Sequence, residues 1–148
     1  MNASLKVSEP GISASASGVL ANAAELAGRS LLALLFLLSG IGKVAAYRAT
    51  AAYMQLQGVP GPLLPLVIAT ELLGAVAIIL GWKTRVVAFL LAGFSLLTAL
   101  TFHNNLADQT QMIMFFKNLS IAGGFLLLVA KGAGALSLDG RALRRGLV

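Results

Sequence analysis

Apolar residues gather in four runs along the chain. Each run is close to the roughly 20 residues that a bilayer's hydrocarbon core requires. The first is "RSLLALLFLLSGIGKVAAY" (Arg29–Tyr47), and the second is "LLPLVIATELLGAVAIILGW" (Leu63–Trp82). The third is "RVVAFLLAGFSLLTALTFH" (Arg85–His103), and the fourth covers Met112–Ala130. Runs of this length predict helices, because unpaired backbone groups are too costly in lipid, and the Ala/Leu richness agrees. "QGVPGP" between the first two runs predicts a turn or short broken helix. "GWKTR" between the second and third leaves room only for a tight hairpin.

Ahead of the first run, residues 1–17 are small and polar and read as a mobile segment. Gly18 to Gly28 favours helix and leads into the first span. The order of charge and apolarity is not that of a cleaved signal, which has its positive region first. The expected organisation is therefore an all-α, four-helix transmembrane domain over residues 18–140. A basic tail, 141–148, follows it.

Composition strengthens this reading. The 148 residues are 58% hydrophobic and 11% charged, whereas a soluble domain is about half apolar and about a quarter charged. One small aqueous core could not hide so much apolar surface. The net charge of +6 comes without a dense basic tract interleaved with aromatics, so it argues for membrane orientation and not for nucleic acid. Lys6, Arg29, Lys83, Arg85, Lys131, Arg141, Arg144 and Arg145 fall on the side of the termini. Arg48, Lys43 and Lys117 fall on the other. That bias puts both termini in the cytoplasm. There are no cysteines and one histidine, so thiol chemistry and a histidine-rich metal site within one chain are excluded.

Polar residues inside the runs are the candidates for function. Lys117 and Asn118 interrupt the fourth span, with Asn118 roughly 9 Å deep at 1.5 Å per residue. Glu71 lies roughly 12 Å from the outer end of the second span. Lys43 stands near the outer end of the first, and His103 closes the third. Ionisable groups at membrane depth are costly, so they tend to pair or to line a functional site. Lys43 and Glu71 are the natural ion pair, with Ser39, Tyr47, His103, Lys117 and Asn118 around them. Ser39, Gly40, Lys43 and Tyr47 share a helical stripe with Arg29 and Phe36. Ala88, Ala92, Ser95 and Ala99 make a small-residue stripe that ends at His103, suited to close helix packing. Lys43 and Lys117 also have the bland reading of snorkelling to headgroups. Arg29, Arg85 and Asp139 read as ion-pair anchors at the inner face. "KGAGALSLDG" follows a membrane helix, not a strand, so it is no nucleotide loop. The "NLS" sequon at Asn118 lies too deep to be glycosylated.

These residues resemble the DoxX family of small bacterial membrane proteins. The resemblance rests on the first-helix motif, "GVPGPLLPLVIATELLGAVAIILGWKTR", "TFH" and "FFKNLSIAGGFLLLVAKGAGALSLD". It implies a multi-pass bundle in the bacterial inner membrane. It marks Arg29, Lys43, Glu71, Arg85, His103, Lys117, Asn118 and Asp139 as pattern positions. Some relatives resemble the membrane subunit of thiosulfate–quinone oxidoreductase, and others are associated with thiol or oxidative-stress complexes. The resemblance thus implies a subunit of a redox assembly, with a quinone as its possible cofactor and a soluble enzyme as its possible partner. Two other readings stand beside it. One is a scaffold that docks soluble enzymes on a basic cytoplasmic face. The other is a permease component acting as a homo-oligomer.

Overall fold

The computed structural model describes residues 12–146, all helix and loop. Four helices are long and apolar enough to cross a membrane: α1 (Ile12–Ala45), α3 (Leu64–Leu80), α4 (Thr84–Phe102) and α5 (Gln109–Lys131). A short helix, α2 (Tyr47–Leu56), follows α1 after a single non-helical residue. The one-turn 3-10 segment Gly61–Leu63 leads into α3, and α6 (Leu138–Arg144) closes the chain. The segment 1–17 lies outside the described residues up to residue 11, and from Ile12 it is part of α1. Residues 141–144, grouped with the basic tail on sequence, belong to α6.

The four long helices run up and down, so the two ends of the described chain share one end of the bundle. α1 packs along α3 and α4 along α5, and contacts between α3 and α4 and between α1 and α5 close the ring. The shared core is built from Ala33, Phe36, Ala75, Ile78, Ala88, Leu91, Ala92, Ala122 and Phe125. Small residues let membrane helices approach closely, because lipid offers no hydrophobic drive and packing must supply the attraction. Phe36 fills the centre, edge-on to Phe125 at 5.4 Å and tilted against Phe94 at 6.2 Å. Leucines such as Leu31, Leu38, Leu66, Leu73 and Leu97 face outward, as residues solvated by acyl chains should.

Two local devices fix the helix positions. Gly40 lets α1 and α3 come close, since a Cβ there would stand 2.6 Å from Leu72 Cδ2 and 3.4 Å from Glu71 Cβ. The α3–α4 hairpin turns at Gly81, whose φ of 67° suits glycine. Trp82 N–H donates to Ala77 O and Gly81 N–H to Ile78 O, the paired bonds of a Schellman ending. Lys83 also has a positive φ. Its backbone N–H donates to Asp139 Oδ1 and that of Thr84 to Asp139 Oδ2, both at 2.8 Å. A carboxylate at an exposed helix N-terminus satisfies orphan donors and complements the dipole. Asp139 therefore caps α4 from the far end of the chain.

Candidate functional site

At the end of the bundle away from the described termini, the four long helices part around a cavity of about 550 Å³. Its walls are mainly apolar, and α2 forms its roof through Thr50, Tyr53 and Met54. Met54 is buried and Tyr53 stacks on Phe102 of α4 at 5.8 Å. The stack joins the roof to the wall.

The charged pole of the cavity lies between α1 and α3. Lys43 Nζ donates to Glu71 Oε1 at 2.8 Å and to Ser39 Oγ at 2.6 Å, while Ser39 Oγ donates to the same carboxylate oxygen at 3.1 Å. Helical spacing of four residues brings Ser39 and Lys43 to one face of α1. The close approach at Gly40 then places Glu71 against them. Glu71 is only 4% exposed and its Oε2 has no partner among the described residues. The Lys43 side chain is 25% exposed. An ammonium carries three donors, so one N–H of Lys43 remains uncommitted.

The uncharged pole lies on α4 and α5. His103 Nδ1 donates to Gln111 Oε1 at 2.8 Å, which leaves Nε2 unengaged. Asn118 Nδ2 donates to Met114 O at 2.9 Å, and its Oδ1 lies 3.4 Å from the Thr98 hydroxyl, which donates to Ser95 O at 2.9 Å. One amide N–H of Asn118 is uncommitted. Lys117 sits at the exposed rim and reaches the Met114 sulfur at 3.0 Å. Lys43, Glu71, Ser39, His103, Asn118 and Lys117 thus line a single cavity. Tyr47 does not line it, because α2 starts there and turns the ring to the outside.

Sequence reasoning missed Thr98, Gln111 and the roof residues. Gln111 follows Asp108 at the capping-box interval, and Asp108 Oδ1 does accept from Gln111 N at 2.8 Å. Thr50 and Met54 stand four apart with Tyr53 beside them, which is a helical signal in a stretch ahead of "QGVPGP" where the apolar runs predict no element.

At the opposite end, Arg29, Arg85 and Asp139 do not pair with one another. The ion pair among the described residues is Lys43–Glu71. Arg29 is 2% exposed and donates from its two terminal nitrogens to the carbonyls of Ala133 and Leu136. The last carbonyls of a helix and the turn after it lack intrahelical partners, and a buried guanidinium is drawn to them. Arg85 is exposed beside the Gly132 turn. Asp139 is committed to the start of α4.

Comparison with known proteins agrees with this architecture. The DoxX family model matches residues 24–104. The chain is 50% identical over 114 residues to "Inner membrane protein YqjF" of Escherichia coli K12, covering 77% of this chain and 88% of that protein. It is 40% identical over 124 residues to "Inner membrane protein YphA" of the same strain, covering 78% of this chain and 88% of that one. No solved structure is a significant match. With four membrane-length helices and these relatives, the chain belongs to the DoxX family as a multi-pass inner-membrane protein.

Proposed function

We propose that the chain is the ligand-binding membrane subunit of a redox assembly, with a quinone-class molecule as its ligand. The observation that carries this reading is the cavity. Its volume of about 550 Å³ lies within the roughly 300–1,000 Å³ of small-molecule sites, which pair apolar walls with a few polar groups. The residues fit the group. The free N–H of Lys43 would donate to one quinone oxygen, and the free N–H of Asn118 is a second donor. His103 Nε2 would accept from a hydroxyl of the reduced form. Glu71 holds Lys43 in place, and with His103 it is a group able to exchange a proton with the ligand. A bound quinone supplies a two-electron acceptor, and without cysteine the chain would take those electrons from a partner. The charge bias supports an orientation with the termini in the cytoplasm and the cavity in the outer half of the membrane.

Protein extracted in mild detergent and assayed for co-extracted quinone by absorbance tests the reading. Wild type should retain quinone, while His103→Gln and Asn118→Leu should lose most of it and keep the helical fold. Retention unchanged in both folded variants would refute it. If those variants also lost a soluble partner while keeping quinone, the docking scaffold would be favoured instead.

A further inference from the structure

A second, smaller cavity of about 250 Å³ opens at the end of the bundle that bears both ends of the described chain. Arg29 of α1 and Arg141 of α6 flank it. Leu26, Ile79, Leu80 and Leu136 supply apolar walls. No acidic side chain among the described residues lines it, although Glu25, one turn before Arg29 on α1, acts on the Arg29 charge from outside the cavity. Asp139, the nearest carboxylate on α6, is spent on the Lys83 and Thr84 amides. Ser137 is also spent, since its hydroxyl donates to Gly134 O and accepts from Gly140 N.

The two guanidiniums have capacity to spare. A guanidinium carries five N–H donors. Arg29 directs two of them to carbonyls, and its buried Nε has no partner among the described residues. Arg141 is exposed, and among the described residues its hydrogen bonds are those of its backbone. A buried polar group without a partner is costly, and Arg141 has no carboxylate within ion-pair distance among the described residues. Leu26, Leu80, Leu136 and Leu138 expose apolar surface beside the same opening. Basic groups and an apolar groove thus meet at one place, at an end of the membrane-length helices.

We propose that this cavity binds the phosphate headgroup of an anionic phospholipid, with Arg141 contacting the phosphate and an acyl chain lying over Leu80 and Leu136. Basic pockets between membrane helices take acidic headgroups for this reason. Guanidinium matches phosphate geometry better than an ammonium does.

The test uses the full chain in mixed micelles containing phosphatidylglycerol and phosphatidylcholine, with lipid retention read by native mass spectrometry. Wild type should retain phosphatidylglycerol in preference, and Arg141→Gln should weaken that preference by about fivefold. Arg145→Gln, on the same face but outside the cavity, should leave the preference unchanged. No preference in wild type would overturn the proposal whether or not any variant folds. So would an equal loss in Arg145→Gln, which would reduce the effect to general surface charge. Inorganic phosphate that displaces the lipid at equal concentration would also overturn it, because the site would then take free phosphate.

Discussion

Removing the Lys43 ammonium should destabilise the bundle more than removing the Glu71 carboxylate. The reason is the asymmetry of burial. Glu71 is almost fully enclosed, and its Oε1 takes bonds from Lys43 and Ser39. Lys43→Met leaves that carboxylate with Ser39 alone. Breaking a buried pair from one side costs about 3–5 kcal/mol, and about 3 is expected here because Ser39 still donates to the carboxylate. Glu71→Met leaves an ammonium that is a quarter exposed on a long stem. That ammonium can swing toward the headgroups, so the cost should be about 1–2 kcal/mol. The double variant puts two flexible apolar side chains in contact and should lie within about 1 kcal/mol of wild type. The coupling is then about 4 kcal/mol. Reversible unfolding by dodecyl sulfate in mixed micelles, followed by circular dichroism, measures all four corners of the cycle. Losses that add to within about 0.5 kcal/mol would show that the residues are uncoupled. A greater cost for Glu71→Met than for Lys43→Met would refute the burial argument.

Reporter fusions after Val148 and ahead of Gly18 should both read cytoplasmic, and a periplasmic signal at either end would overturn the orientation. Gly81→Ala should cost about 2–3 kcal/mol in the same unfolding assay, because φ is positive and the new Cβ would stand 2.4 Å from Ser137 Cβ. A neutral result would mean the hairpin can relax. Asp139→Ala should cost about 1–2 kcal/mol by uncapping α4, with Asp139→Asn losing roughly half as much. Equal losses in the two variants would point to packing instead of capping.

The long helices were legible because lipid imposes a single rule on apolar runs of this length. The Ala88, Ala92, Ser95 and Ala99 stripe was legible too, and all four are buried where α4 meets its neighbours. Lys43 and Glu71 announce themselves because charge at membrane depth is rare, and the structure brings them into contact. Other features depend on tertiary context. The first helix ends at Ala45 without a proline, so nothing local separates Tyr47 from the span or marks α2 as a roof. Asp139 looks like a partner for arginine until the fold brings residues 83 and 84 beside it. Lys117 and Asn118 are adjacent in sequence, yet about 100° apart around the helix. That rotation leaves the lysine at the rim and turns the amide inward.

The latch made by Arg29 and Asp139 also sets an order of events during synthesis. Arg29 enters the membrane with the first helix, but its acceptors at Ala133 and Leu136 are translated more than a hundred residues later. Until the last turn arrives, a newly made chain holds an unsatisfied arginine at its first helix and an uncapped fourth. Completion of the C-terminal segment relieves both at once. A chain truncated after α5 should therefore insert normally, fail to close and be cleared by membrane proteases.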